Sequence, residues 1–291
     1  MPSPRPGLSH PLEISARLVL LTRQLFTAID TPFHRYEFKE LTASERLTAH
    51  GRGGAQGKAM CGRFVLYSPL NQLMALFGIE AIACEATASY NIAPTREVVA
   101  VIQRPERRMG LLRWGFVPSW AKEPPKGRPM INARLETIAR KPAFRAAFSR
   151  KRCLIPADGF YEWQKEGKEK KPWYFTLEGE SPMALAGVYE TWHPPEGHAL
   201  HTCAIVTTEA FGAMRPIHHR MPLIIAPSAV DAWLDPSLRD PERIMAEAAK
   251  AQVKTLFRRR VSPLVGKASF DGPACIAPFT DPPAPPGELF R

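Results

Sequence analysis

Apolar and polar positions change their spacing several times along the chain, and each change marks an element. Strand-length runs of apolar and β-branched residues lie at Arg63–Leu66, Glu97–Ile102, Met109–Trp114, Phe160–Trp163, Trp173–Leu177, Ala184–Tyr189, Thr202–Thr207 and Leu223–Ala226. Helical spacing appears at Leu70–Phe77, with Ser68 as N-cap, Pro69 at the first helical position and Gly78 just past the end. Asp240-Pro241 opens another helix to about Ala251, and shorter ones are predicted over Pro142–Phe148 and Ser228–Leu234. Strands outnumber helices and do not alternate with them. The pattern predicts an α+β single domain with a curved, partly barrel-like mixed β-sheet flanked by short helices, not a doubly wound parallel sheet.

Residues 1–59 lack this patterning. A short apolar stretch, Leu18–Leu21, sits among Arg and Thr, and Gly51–Lys58 reads as linker. The expected organisation is a spurious or removable N-terminal extension (1–59), one patterned globular domain (60–280) and a loose proline-rich tail (281–291). Glu13, Arg17 and Arg23 break up any secretory apolar segment, and Glu37, Glu40 and Glu45 argue against a transit peptide. No apolar run approaches the roughly 18–20 residues that span a bilayer.

Composition narrows the class. Hydrophobic residues make up 45% of 291, enough for a sizeable core, which excludes wholesale disorder. Five cysteines, an odd number with no C-x-x-C, argue against a disulfide framework and a cysteine-rich zinc site. They fit a reduced, cytoplasmic protein. The net charge is +11, and +8 of it lies in residues 60–291, which points to a polyanionic partner. His193, His198 and His201 flank a turn sequence without a metal-ligand spacing, so neither metal nor cofactor is expected.

Met60-Cys61-Gly62-Arg63 is the most informative tetrapeptide. Translation from Met60, followed by trimming of that methionine, leaves Cys61 with a free α-amine. The codons of Ala55–Met60 can carry an AGGG ahead of the ATG, as a bacterial ribosome-binding site would. An α-amine titrates near 7.7–8.0, far below lysine, so part of it is neutral and nucleophilic at pH 7. Such an amine condenses with an aldehyde, and the thiol then closes a five-membered thiazolidine. An internal cysteine cannot do this, and its ordinary role is a buried structural thiol.

Further polar segments stand where core packing does not demand them: Tyr90–Thr95, Trp114–Trp120, Ile131–Thr137, Cys153–Trp163 and Ile217–Pro222. With Cys61–Phe64 ahead of them, and Val261-Ser262 and Asp271-Gly272-Pro273 behind, their order and spacing resemble the SRAP family. These are the SOS response-associated "peptidases", understood as abasic-site processing proteins. The resemblance spans about 60–280, with Gly266 departing from an asparagine common in relatives.

The resemblance implies a protein of the bacterial cytoplasm and nucleoid. It would act as a monomer and sense abasic sites in single-stranded DNA. It would trap their ring-opened aldehyde as a thiazolidine crosslink through Cys61, with strand cleavage by β-elimination as a side activity. It also implies site residues. Cys61 is the nucleophile, and Asn132 orients the adduct, unless it merely forms a turn. Glu162, between two aromatics, is a candidate general acid/base, unless it faces solvent. His218 is a candidate proton shuttle, unless it is a surface histidine. Arg63, Arg134 and Arg220 are candidate phosphate contacts. Trp114 and Trp163 offer stacking faces or ordinary core, and Asn91 and Pro94 shape the pocket. The alternative is a cysteine peptidase or self-processing hydrolase that cleaves before Cys61, with His218 as base.

Overall fold

The computed structural model describes residues 61–280; the expectations for the N-terminal extension and the proline-rich tail lie outside them. In chain order the strands are β1 (Phe64–Leu66), β2 (Ala81–Ile82), β3 (Ser89–Ile92), β4 (Glu97–Gln103), β5 (Arg107–Trp114), β6 (Asn132–Arg134), β7 (Arg152–Ala157), β8 (Gly159–Glu166), β9 (Glu169–Thr176), β10 (Met183–Trp192), β11 (Leu200–Glu209), β12 (Arg220–Pro222), β13 (Ile224–Ile225) and β14 (Phe257–Arg260). The α-helices are α1 (Leu70–Phe77), α2 (Leu135–Ile138), α3 (Arg145–Arg150), α4 (Val230–Leu234) and α5 (Pro241–Ala251). The expected α+β fold with a partly barrel-like mixed sheet is what forms.

One sheet closes on itself. β4 and β5 form a hairpin, β4 meets β7 at Val101–Leu154, and β7, β10 and β11 run antiparallel. β11 then returns to β5 in parallel, at Thr202–Arg113 and Cys203–Trp114, to complete a five-stranded barrel. Closure removes the strand edges. Every residue of β7 is buried, because the barrel interior takes one face and α3 and α4 pack near the other.

The second sheet has the order β14-β9-β8-β1-β3. Phe64 on β1 meets Trp114 on β5 edge-on, with ring centroids 5.2 Å apart, and so joins the sheet to the barrel. The opposite face buries Val65, Tyr161 and Tyr174 with Val261, Val265 and Cys275 of the C-terminal segment.

Local signals are read with mixed fidelity. Gly78 ends α1 in the left-handed region (φ 60°), as a C-terminal glycine should. Ser68 does not cap that helix: its hydroxyl and backbone N–H both bond to the buried carboxylate of Asp158, and Pro69 takes the cap position. Asp240 does cap α5, accepting from the Arg243 N–H at 2.9 Å. The helix predicted over Pro142–Phe148 forms later, at α3. β2, β3, β6, β12 and β14 were not predicted, because such short segments gain their pairing from neighbouring strands rather than from apolar alternation. β7 was missed as well, although every residue of it is buried, because Pro156 interrupts its apolar run.

Gly159, at the start of β8, lies where a Cβ would stand 2.4 Å from the Tyr174 ring and 2.5 Å from the Phe175 carbonyl. Gly159→Ala is expected to destabilise the protein by about 1–3 kcal/mol through overpacking, measured by denaturant unfolding.

Candidate active site

The site begins with a strand pairing. β1 and β8 are antiparallel, with Phe64 opposite Phe160 and Val65 opposite Gly159. The Tyr161 N–H donates to the Arg63 carbonyl, which carries the register one step further. That register sets Cys61, at the head of β1, beside Glu162. The Cys61 backbone nitrogen donates to Glu162 Oε2 at 3.0 Å, and the Trp163 N–H donates to Oε1 at 3.3 Å.

Both partners are enclosed, Cys61 at 3% and Glu162 at 4% exposure. Burial raises the Glu162 carboxyl to about 7, against the lowering effect of those two N–H donors. The Cys61 thiol is pushed well above its ordinary value, first by burial and then by the Glu162 charge, while the nearby Arg220 guanidinium opposes the shift. The site therefore holds a carboxyl poised to exchange a proton near neutrality and a thiol kept protonated. Cys61 also has a left-handed backbone, with φ 41°, a conformation that is strained for a side chain with a Cβ.

The remaining residues arrive on β6, β11 and β12. Asn132 lies half-buried on β6, in parallel register with Ile205 of β11. Ile131, next to it, comes within 3.9 Å of a Cβ built on Gly62, so β6 approaches the head of β1. His218 is buried just before β12, where its Nδ1 lies 3.0 Å from the Arg220 backbone nitrogen and 3.2 Å from the Arg220 carbonyl oxygen.

Arg220 is the connector. Its guanidinium grips Glu136 through two parallel bonds, one of 2.8 Å, and also reaches the Thr207 carbonyl at 2.7 Å. Burial alone would raise the Glu136 carboxyl, but the Arg220 hydrogen bonds, a bond from its own backbone N–H and the charges of Arg220 and Arg134 together hold it below its ordinary value. Glu136 stands in the Ile131–Thr137 motif, yet sequence reasoning assigned it no role; the signal was its place in that motif.

Several expected DNA contacts are corrected. Trp114 is fully buried, meets Phe64 edge-on and donates from Nε1 to the Ile131 carbonyl at 2.9 Å, so it is core and offers no stacking face. Asn91 is fully buried; its amide donates to the Val265, Lys267 and Phe270 carbonyls and accepts from Arg63, so it clasps the C-terminal segment. Arg220 is 8% exposed and engaged with Glu136, which removes it as a surface phosphate contact. Arg63 is half-buried, and its guanidinium also donates to the Val265 and Gly266 carbonyls. Arg134 is exposed, whereas Pro94 and Trp163 are half-buried. Trp120, which sequence reasoning passed over, is 67% exposed on the segment joining β5 to β6. Its signal was the basic, proline-rich run that follows it.

The site joins a buried cysteine nitrogen, 3.0 Å away, to a carboxyl whose proton affinity burial has raised. Residues 60–268 match the family described as SOS response associated peptidase (SRAP), and the chain belongs to that family. It is 39% identical over 221 residues to abasic site processing protein YoqW of Bacillus subtilis, covering 75% of this chain and 99% of the relative. It is 41% identical over 210 residues to YoaM of the same organism, another abasic site processing protein, covering 71% and 92%. A crystal structure of a Bacteroides thetaiotaomicron protein shares the fold, with a TM-score of 0.66 at 23% identity, covering 76% of this chain and all of that one.

The raised Glu162 has a stability consequence. Between the ordinary carboxyl value of 4.5 and about 7, the folded state binds more protons than the unfolded state, so stability falls as pH rises through that window. Glu162→Gln is expected to be the more stable protein above pH 7, by up to about 3 kcal/mol. The difference should vanish towards pH 4.5, as checked by thermal unfolding across this range.

Proposed function

We propose that this protein captures the ring-opened aldehyde of an abasic site in single-stranded DNA as a thiazolidine at Cys61, in a mature chain that begins at Cys61. The observation that carries the reading is the 3.0 Å bond between the Cys61 nitrogen and the buried Glu162 carboxylate. In the full chain that nitrogen is an amide. Once Cys61 is the first residue, the same atom is an α-amine beside a proton exchanger.

The backbone strain at Cys61 supports this. Its φ of 41° exists only because a residue precedes it. Removal of residues 1–60 removes that torsion and its cost of roughly 1–3 kcal/mol. The family match beginning at residue 60 supports the same start.

The chemistry balances without an external reagent. Protonated Glu162 donates to the deoxyribose ring oxygen while the anomeric hydroxyl releases its proton, which reprotonates the carboxylate, and the sugar opens to its aldehyde. The neutral amine adds to the carbonyl carbon with transfer of one N–H proton to the oxygen; the resulting hydroxyl leaves as water with the proton of Glu162, and the remaining proton on the iminium nitrogen returns to the carboxylate. The imine so formed accepts the Cys61 sulfur at carbon, while the thiol proton passes to nitrogen. One C–N and one C–S bond form per water released. The same imine permits β-elimination of the 3′ phosphate, which accounts for a slow strand-cleaving side activity.

Asn132 and His218 would orient the opened sugar and relay its protons from β6 and the β12 approach. Arg134 and the exposed face of Trp120 would hold the strand, through phosphate and base respectively. The peptidase alternative needs a thiolate, and burial together with Glu162 keeps the Cys61 thiol protonated.

Cys61→Ala is expected to form no denaturation-resistant adduct with an abasic oligonucleotide; undiminished adduct would sink the reading. Adduct formation requires protonated Glu162 and neutral amine together. The rate should therefore peak between about 7 and the α-amine value near 8, falling on both sides. Glu162→Gln should slow it by about 100-fold or more and remove the alkaline limb. Intact-mass measurement of the protein from its native host should give a chain starting at Cys61.

A further inference from the structure

The arginine run on β14 is unused by the site described so far. β14 pairs antiparallel with β9, Arg258 opposite Phe175 and Arg260 opposite Trp173. Trp173 in turn lies opposite Glu162 on β8. Side chains directly opposite one another share a sheet face, and alternate residues along a strand do too. Glu162, Trp173, Arg258 and Arg260 therefore occupy one face. Arg259 points to the other, where it lies over the Tyr174 ring and pairs with Glu180.

On the shared face, the Arg258 and Arg260 guanidinium carbons lie 4.7 and 5.5 Å from the Trp173 ring centroid. Gln164 accepts from the Trp173 indole N–H at 3.0 Å, which fixes the ring. Arg258 is exposed, and Trp173 and Arg260 are half-buried. With strands about 4.8 Å apart, Trp173 is one strand, and the arginines two strands, from the reacting centre. Arg258 also donates to the Ala213 carbonyl at 2.7 Å, on the segment leading to His218. The stripe therefore runs continuously from Glu162 along the segment that carries His218.

We propose that this β8–β9–β14 stripe is a second DNA subsite that holds the single-stranded flank on one side of the abasic nucleotide, with a base stacked on Trp173 and phosphates held by Arg258 and Arg260. The proposal rests on the abasic-site reading above. A flat indole between two cations suits an unpaired base followed by its phosphate. Paired bases expose no face to it, so duplex DNA fits poorly.

The test uses the protein beginning at Cys61 and short oligonucleotides that carry a stable tetrahydrofuran abasic analogue for binding, followed by fluorescence anisotropy, or a natural abasic site for crosslinking. Extending the flank on one side should tighten wild-type binding about tenfold or more, as one stacked base and its phosphates would, and extension on the other side should not. R258Q/R260Q should lose that gain. Its slope of log affinity against log salt on the long oligonucleotide should shrink by about 1.4, two phosphates at roughly 0.7 each. W173L should lose the gain with little change in slope. For every variant, affinity for the shortest oligonucleotide should stay within about twofold of wild type.

Equal losses on short and long oligonucleotides would overturn the subsite and leave Arg258 as a brace for the Ala213 segment. A flank gain undiminished in the variants would overturn it too, while wild-type crosslinking of the same sequences keeps the covalent reading standing. Wild-type protein beginning at Cys61 that neither binds nor crosslinks abasic DNA would overturn both.

Discussion

The pairing of β1 with β8 is the constraint on which the rest depends. It delivers a chain nitrogen to a carboxyl group that water scarcely reaches. A carboxylate on an open strand would titrate with ordinary surface acids and exchange no proton near neutrality. Buried as it is, Glu162 keeps its proton to about 7, and the two N–H donors beside it prevent a larger shift. Glycine at position 159 lets Tyr174 and the Phe175 carbonyl close against the start of β8, where β8 meets β1.

A second constraint works by charge. Arg220 is buried, and a buried cation is costly without partners. Glu136 from α2 and Thr207 from β11 supply them, so β11, β12 and the segment after β6 are tied at one guanidinium. The backbone N–H of the same arginine meets His218 Nδ1, and its positive charge opposes the Glu162 effect on the Cys61 thiol. Charge around Cys61 is thus arranged by structural ion pairing, while Arg134 and Trp120 stand exposed to solvent.

Much of the architecture was legible locally. α1 and α5 announce themselves by Gly78 and Asp240, and the barrel strands β4, β5, β10 and β11 by apolar runs, because those signals act within a few residues. The setting of Glu162 between aromatics, Tyr161 and Trp163, was legible too, and the structure encloses it. Arg220 was misread as a surface contact, and the choice left open for Trp114 could not be made, for a common reason. A tryptophan or an arginine in a polar motif looks the same whether it faces solvent or is enclosed, and only its neighbours decide.

Composition, periodicity and motif order were enough to specify an α+β domain, its family and the residue types of its chemistry. Barrel closure was beyond them, since the β5–β11 contact joins segments about ninety residues apart and depends on chain geometry rather than local preference. So was the division of the β14 arginines between two faces, which depends on a register that only the folded sheet supplies. Proximity of a nitrogen to a dry carboxyl is likewise a property of packing: residue identity makes the chemistry available, and burial sets the proton affinity at which it can operate.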